Sequence, residues 1–149
     1  MVLSKQKDSL YDPFRKMWVA ATPEELVRQK LLHVMTRQLG FPKNLIAVEK
    51  QLSELPHLKG AASLPKRRAD ILCFAKGIHP EFSLFPLLII ECKEGVASDA
   101  AAKQALGYNH YVQAPFVAIA GEEKVELVYP QKLTFLPKFS EMMESVCKR

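Results

Sequence analysis

The sequence contains little cysteine and no long apolar run. Its three cysteines, Cys73, Cys92 and Cys147, are an odd set without metal-type spacing, so we predict neither a disulfide framework nor a zinc site. The longest apolar stretch, residues 84–90, is far shorter than the ~20 residues of a membrane helix and contains Pro86. The polar N-terminus lacks the apolar core of a secretory signal. We therefore expect a cytoplasmic protein without a membrane segment.

The chain also lacks internal repeats and low-complexity tracts. Of its 149 residues, 48% are hydrophobic and 25% are charged, a composition that excludes disorder and permits a substantial core. We predict one globular domain over residues 1–149, with its core at about 20–130. The formal net charge is only +5, but Lys66, Arg67 and Arg68 form a basic run. Such a run is typical of a rim that contacts phosphate without reading sequence.

The clearest element is a helix within residues 20–40. Thr22 is suited to the N-cap, Pro23 to the first helical position and Glu25 to a capping box, and Gly40 marks the end. Glu25 and Gln29 share a polar side that faces either solvent or a site. An apolar stripe recurs at helical spacing and predicts the buried face: Val27, Leu31, Val34 and Met35.

The rest of the sequence predicts three strands, a helix, two more strands and a last helix. The predicted strands cover residues 45–52, 68–74, 87–93, 116–120 and 124–129, and the helices cover residues 100–112, capped by Ser98 or Asp99, and 137–147. An exposed connection is expected up to Pro65. The nearly continuous apolar third strand is typical of a central strand covered on both faces. A strand–helix–strand passage normally makes a parallel crossover, so we predict an α/β layered sheet.

Charged residues end the third strand abruptly. Glu91 and Lys93 share one face and Cys92 has the other, because side chains alternate along a strand. If the second and third strands are neighbours, Asp70 approaches Glu91, and two carboxylates and an ammonium surround one point. Two carboxylates, a backbone carbonyl and water suit Mg²⁺ or Mn²⁺. This arrangement predicts phosphodiester hydrolysis, with Lys93 orienting water or stabilising charge on the phosphate.

A plainer interpretation of these residues is also open. Glu91 and Lys93 can be a solvated strand end, with Asp70 paired to Arg68 or Lys93. A second acid–any–lysine triplet, residues 122–124, follows Gly121 in a predicted turn. Only the first triplet ends a buried strand.

Four pieces of sequence in a fixed order give a more specific indication. They are Thr-Pro-Glu-Glu-Leu-Val-Arg-Gln at 22–29, Arg-Arg-Ala-Asp-Ile-Leu at 67–72, Ile-Ile-Glu-Cys-Lys at 89–93, and Gln104 with Tyr108. Together they resemble the N-terminal nuclease domain of the motor (R) subunits of type I restriction enzymes, over residues 20–129. That family belongs to the PD-(D/E)XK nuclease superfamily. The resemblance implies a restriction-endonuclease-like core, with a mixed central sheet flanked by helices.

The resemblance also implies roles for individual residues. Asp70 and Glu91 are expected to be metal ligands together with the carbonyl of Cys92, and Lys93 is expected to be the catalytic lysine. Gln104 and Tyr108 match a motif that positions DNA or the active site. The alternative for this pair is an ordinary amphipathic edge, with Tyr108 half-buried and its hydroxyl in water.

The first helix offers two further sets of alternatives. Relatives sometimes place an acid from this helix near the metal, which makes Glu25 a candidate ligand, whereas the capping box explains it without metal. Arg28 and Gln29 either contact phosphate, fix Glu25 in place, or form a solvated helix face. Arg67 and Arg68 are expected to meet the nucleic-acid backbone.

The sequence departs from the family in two respects. Ala69 stands where the superfamily has proline, and no phosphate-binding glycine loop is present. We therefore expect a domain that is not a motor by itself, acting on nucleic acid, foremost DNA, as a homodimer or with a partner protein that supplies a motor or specificity. The alternative function is a non-catalytic module that binds nucleic acid or protein.

Overall fold

The structure is a computed structural model that describes residues 8–95 and 98–147. The strands are β1 (Ser9–Asp12), β2 (Met17–Ala20), β3 (Ile46–Gln51), β4 (Arg68–Lys76), β5 (Leu84–Cys92), β6 (Phe116–Ala120) and β7 (Val125–Tyr129). The helices are α1 (Pro23–Arg37), α2 (Asp99–Val112) and α3 (Phe139–Cys147). Within the described ranges, no helix combines the length and apolar character needed to cross a membrane.

Five strands form one mixed sheet in the order β3-β4-β5-β6-β7. The pair β5–β6 is parallel, as the intervening helix predicted, and the other pairs are antiparallel. With helices on both sides, the architecture is α/β and consistent with a restriction-endonuclease-like core. The predicted fold class is confirmed.

The two faces of the sheet are covered by different helices. Alternate residues of β5 divide between two clusters: Ile90 packs with residues of α1 and α3, and Ile89 packs with residues of α2. The segment from Phe85 to Cys92 is buried throughout, which explains its continuous apolar sequence. The strand therefore runs through the centre of the molecule and ends at the candidate site.

Helix α1 begins and ends where its sequence signals lie. The hydroxyl of Thr22 accepts a hydrogen bond from the Glu25 amide at 3.1 Å. Gly40, just beyond the helix, has a φ of +74°, in the region that favours glycine. Val27, Leu31 and Met35 are buried as predicted, whereas Val34, the fourth residue of the predicted stripe, is only partly buried.

Three parts of the fold differ from the sequence prediction. The antiparallel hairpin β1–β2 was not predicted, because its four-residue strands are largely polar or exposed. The connection after β3 is only partly exposed, since Leu52, which begins the first of two short 3-10 turns, and Leu55, which lies between them, are completely buried. Strand β5 begins at Leu84 rather than residue 87, and Pro86 lies within it, beside a shift in its register with β4.

Candidate active site

Strands β4 and β5 bring the two predicted acids together. Ile71 and Ile90 are Cα partners in this antiparallel pair. Asp70 and Glu91 are the next residues toward the same end of the two strands, so they lie side by side. Each of the two acids is only 6% exposed. The geometric condition for a shared carboxylate site, that the two strands be neighbours, is confirmed.

Asp70 is held at both of its oxygens. Its Oδ2 accepts a hydrogen bond from the Cys92 amide at 2.7 Å, and its Oδ1 accepts one from Arg28 Nη2 at 3.2 Å. Among the described residues, Asp70 therefore forms its ion pair with Arg28. The alternative that Asp70 pairs with Arg68 or Lys93 is wrong. Burial raises the pKa of Asp70, while the Cys92 amide and Arg28 oppose that rise.

Glu91 is the less satisfied of the two acids. Its Oε1 lies 3.7 Å from Arg67 Nη2 and 3.9 Å from Lys93 Nζ. Its Oε2 is buried and has no hydrogen-bond partner among the described residues. Burial, and then the negative charge of Asp70, raise the pKa of Glu91 to about 7. A buried carboxylate oxygen without a partner is a free position for a cation.

Lys93 is fixed at the end of β5 by two neighbouring elements. Its amide donates to the Ala120 carbonyl of β6 at 2.8 Å. Its ammonium donates to Gln104 Oε1 of α2, also at 2.8 Å. Lys93 therefore stands on the α2 side of the sheet, next to Glu91, as the strand alternation predicted.

Tyr108 lies one helical turn beyond Gln104 and is almost completely buried. It is 4% exposed, and its hydroxyl has no hydrogen-bond partner in the described ranges. The Arg67 guanidinium lies 4.5 Å from the centre of its ring, a cation–π distance. The alternative of a half-buried tyrosine with its hydroxyl in water is wrong. Gln104 and Tyr108 instead contact the cations that flank Glu91.

The carboxylate of Glu25 is bound by three side chains. It accepts hydrogen bonds from Arg15 Nη2 at 2.5 Å, Arg28 Nη1 at 3.0 Å and Gln29 Nε2 at 3.1 Å. Of the two hydrogen bonds of a capping box, the described residues show the one from the Glu25 amide to the Thr22 hydroxyl. Arg28 and Gln29 are buried and hold Glu25, so the interpretation as a solvated helix face is wrong. The role of Glu25 as a metal ligand stays a prediction.

Arg28 connects the first helix to the catalytic candidates. Besides Glu25 and Asp70, it bonds Glu49 Oε1 at 2.8 Å. Burial by itself lowers the pKa of Arg28, but the carboxylates of Glu25, Asp70 and Glu49 raise it, so the side chain stays charged. Contact between Arg28 and phosphate would require one of these ion pairs to open.

Three residues of this network were not identified from the sequence. Glu49 has a φ of +58° within β3, between the paired residues Val48 and Lys50. Its position in a predicted strand next to that of Asp70 was a usable signal. Arg15 and its partner Asp12 belong to the hairpin, which the sequence prediction missed entirely.

The basic run and the second triplet lie in different settings. Arg67 contacts Glu91 and Tyr108, whereas Arg68 is exposed and lies 3.6 Å from Glu49. Lys66 is exposed. Residues 122–124 are all exposed in a turn, so the prediction that only the first triplet ends a buried strand is confirmed.

The donor set at the end of β5 fits a hard cation. Within the described residues, no group of three or more His, Cys, Asp and Glu side chains is placed to hold a metal. Two carboxylates, from Asp70 and Glu91, and the intervening carbonyl of Cys92 remain, which is a sufficient set for an ion that keeps several waters. The unpartnered Glu91 Oε2 agrees with such a site.

A comparison with protein families identifies the group to which this arrangement corresponds. The family described as the type I restriction enzyme R protein N terminus matches residues 23–139, which includes α1 and every strand of the mixed sheet. No curated protein and no solved structure matches the chain significantly.

Proposed function

Because the chain belongs to the family of type I restriction enzyme R protein N termini, we propose that it is a metal-dependent nuclease domain that hydrolyses phosphodiester bonds in DNA. The observation that carries this proposal is the buried pair Asp70 and Glu91, in which one carboxylate oxygen has no hydrogen-bond partner among the described residues and a lysine lies beside it. A buried carboxylate whose pKa is raised by burial and by a second carboxylate beside it is a candidate for a functional site.

Asp70, Glu91 and the main-chain carbonyl of Cys92 would hold Mg²⁺ or Mn²⁺. When bound, such an ion polarises a phosphoryl oxygen and lowers the pKa of water. The reaction adds water across one P–O bond: the water oxygen bonds to phosphorus, and the departing oxygen takes up a proton.

The side chains around this pair have distinct tasks in that reaction. The Lys93 ammonium stabilises the negative charge that develops on the phosphate and orients the attacking water. The hydrogen bond from Lys93 to Gln104 keeps the ammonium at the end of β5. Arg28 and the Cys92 amide fix the Asp70 carboxylate in one orientation. These contacts are present before substrate binds, which is the preorganisation that catalysis requires.

Nucleic acid would approach over the exposed basic run. Lys66 and Arg68 are exposed, and Arg67 reaches from this run to Glu91. These cations would place the DNA backbone without selecting a sequence. We extend the proposal to a partner protein that supplies a motor or specificity, and to a homodimer, since one small domain covers little of a duplex.

The chain supplies its own control for a test of Lys93. Lys93→Met and Lys124→Met each remove the ammonium of the lysine that ends an acid–any–lysine triplet. Lys124 belongs to the second triplet, further along the chain, and is exposed. Cleavage of linear, branched and single-stranded DNA with Mg²⁺ or Mn²⁺ should fall about 100-fold or more in Lys93→Met and stay unchanged in Lys124→Met. Equal rates for the two variants would refute the assignment of Lys93.

A non-catalytic binding module on the same fold is the second candidate. It is favoured by Arg28, whose guanidinium already neutralises part of the charge of Asp70. Such a module would bind nucleic acid with a strong dependence on salt and none on Mg²⁺, and it would form no product. Metal-stimulated cleavage by the wild type would exclude it.

A further inference from the structure

Helix α2 has an opening in its surface at Gly107, which lies in the interior of the helix. Apart from its chain neighbours and the backbone of α2, no atom of the described residues lies within 4 Å of a Cβ added at this position. A glycine inside a helix destabilises it relative to alanine. Since α2 continues through Gly107 and leaves room for a side chain, the packing of the chain does not require glycine here. The missing side chain instead gives a ligand direct access to the backbone of α2.

The opening belongs to a cleft of about 210 Å³. It is formed by α2 and by the segment that leads into β4, and it is lined by Pro65, Arg67, Gln104, Gly107, Tyr108 and Tyr111. The four residues from α2 are three or four positions apart, so they share one face of the helix. The volume is below the ~300 Å³ at which small-molecule sites begin. The cleft therefore suits one group of a larger molecule better than a small molecule bound alone.

Two of the lining side chains connect the cleft to the candidate active site. Arg67 Nη2 lies 3.7 Å from Glu91 Oε1. Gln104 Oε1 accepts the hydrogen bond from the Lys93 ammonium at 2.8 Å. A polymer whose reacting bond lies at Glu91 and Lys93 would therefore continue into the cleft.

The charge of the cleft favours an anionic group. Arg67 is 44% exposed, and at 3.7 Å its Nη2 is not hydrogen-bonded to the buried Glu91, so the guanidinium retains donors for an occupant. The ring of Tyr108, 4.5 Å away, holds the guanidinium in place. Residues 60–69 and 100–112, which include all the lining residues, contain no Asp or Glu. They contain two further exposed cations, Lys66 and Lys103.

Nucleic acid and acidic peptides are the two anionic polymers that such a cleft could hold. A strand of nucleic acid carries one phosphate per nucleotide, so a strand whose reacting phosphate lies at Lys93 has another phosphate one nucleotide away. The carboxylates of an acidic peptide have no such fixed spacing. Tyr111, which is 37% exposed, also gives the cleft an aromatic wall against which a sugar or a base can pack. These features favour nucleic acid.

We propose that the cleft at Gly107 holds the phosphate that neighbours the cleaved one on the same strand. Arg67 pairs with this phosphate, Gly107 lets it approach α2, and Tyr111 packs against the attached sugar or base. The identity of the polymer rests on the proposed nuclease function. The new element is a requirement of the substrate, which must carry a phosphate beside the one that reacts.

Substitutions at Gly107 test this site by anisotropy of a short labelled DNA duplex in EDTA, where binding does not depend on catalysis. Gly107→Leu fills the cleft, and Gly107→Ala narrows it. Because alanine and leucine both favour a helix more than glycine does, the two variants are expected to fold. Gly107→Leu should bind about tenfold more weakly, the contribution of one charge-assisted hydrogen bond, and Gly107→Ala should lie between it and the wild type. The slope of log affinity against log salt should fall by about 0.9 in Gly107→Leu, which corresponds to one phosphate contact.

Two further variants show whether the effect belongs to the cleft. Leu106→Ala changes a neighbouring side chain of α2 that is 39% exposed and does not line the cleft, so it should bind as the wild type does. Arg67→Gln should weaken binding as Gly107→Leu does, and the double variant should lose little more, because both changes remove the same contact. Fully additive losses would overturn the shared contact.

A comparison of two substrates tests the requirement for a neighbouring phosphate. Bis(p-nitrophenyl) phosphate contains one phosphodiester and no second phosphate. With Mn²⁺, the rate of DNA cleavage relative to the rate on this compound should fall about tenfold in Gly107→Leu. An unchanged ratio would overturn the proposal.

The remaining outcomes separate this site from the proposed nuclease. Unchanged affinity and salt dependence in Gly107→Leu would overturn the phosphate site, even if cleavage is lost in Lys93→Met. If Gly107→Leu loses affinity for a labelled glutamate-rich peptide but not for DNA, the cleft is a site for a partner protein and the proposal is wrong. Weaker DNA binding by Gly107→Leu, together with no metal-dependent cleavage by the wild type, would support a phosphate site in the cleft and refute only the nuclease.

Discussion

Replacing Glu91 by glutamine is expected to stabilise the metal-free protein above neutral pH. The pKa of Glu91 rises from 4.5 to about 7 through burial and the charge of Asp70, so the folded state resists ionisation of this group. At about 1.4 kcal/mol per pH unit, ionised Glu91 costs the fold about 3 kcal/mol above pH 7. Lys93 and Arg67 act against this cost by lowering the pKa of Glu91, but burial and the charge of Asp70 outweigh them.

The sign of this effect sets its pH range. Between pH 4.5 and about 7, the unfolded chain has lost the Glu91 proton and the folded chain retains it, so wild-type stability falls as pH rises through this range. Glutamine has no carboxyl group, so the stability of Glu91→Gln does not fall in this way. The two proteins should therefore have similar stability near pH 4.5, and the variant should be more stable at pH 8.

Urea unfolding in EDTA at pH 4.5, 6 and 8 measures the difference directly. Glu122→Gln is the matched control, because Glu122 occupies the corresponding place in the exposed second triplet. Because Glu122 is exposed, Glu122→Gln should change the free energy of unfolding by less than about 0.5 kcal/mol. A Glu91→Gln protein that is no more stable than the wild type at pH 8 would show that Glu91 is already compensated without metal, which contradicts the site described above.

Three further predictions concern the fold around the site. Apart from the backbone of α2 itself, no atom of the described residues lies within 4 Å of a Cβ added at Gly107. Gly107→Ala should therefore stabilise the protein by about 0.5–1 kcal/mol and raise the urea midpoint, and a lower midpoint would contradict this. Leu32→Ala should lower the free energy of unfolding by about 2–5 kcal/mol, because Leu32 is fully buried. Leu26→Ala, on the exposed face of α1, should change it by less than about 0.5 kcal/mol. Similar losses in the two variants would refute the packing of this helix. Burial lowers the pKa of His57 below 6.5, so the folded state favours the neutral imidazole and the free energy of unfolding should decline as pH falls below about 6.5. His57→Phe should make the free energy of unfolding depend less on pH in this range. An unchanged dependence on pH would contradict the burial of a neutral His57.

The sequence was most informative where periodicity and helix-end signals agreed. The central strand was predicted because a fully covered strand must be apolar throughout, and its charged end placed Glu91 and Lys93 on one face. Neighbouring strands were enough to bring Asp70 to Glu91. The helix spacing of Gln104 and Tyr108 likewise predicted one common face, and both residues contact the cations beside Glu91.

The remaining part of the site depends on contacts between distant segments. Nothing local in the sequence shows that Arg28 binds Asp70 and Glu49, because these side chains meet only after β3 and β4 pair beside α1. The hairpin that carries Arg15 has short strands and little apolar alternation, so its pattern predicts no element. For this reason the sequence identified the candidate ligands but missed the ion-pair network that orients them.

Metal binding by wild type and Asp70→Asn tests the central claim most directly. The substitution keeps the shape of the side chain and removes one of the two buried carboxylates. Thermal unfolding with increasing Mn²⁺ should show progressive stabilisation of the wild type, about 2.7 kcal/mol at a hundred times the dissociation constant, and little or none in Asp70→Asn. Equal stabilisation of both proteins, or none in a folded wild type, would contradict a metal site formed by Asp70 and Glu91.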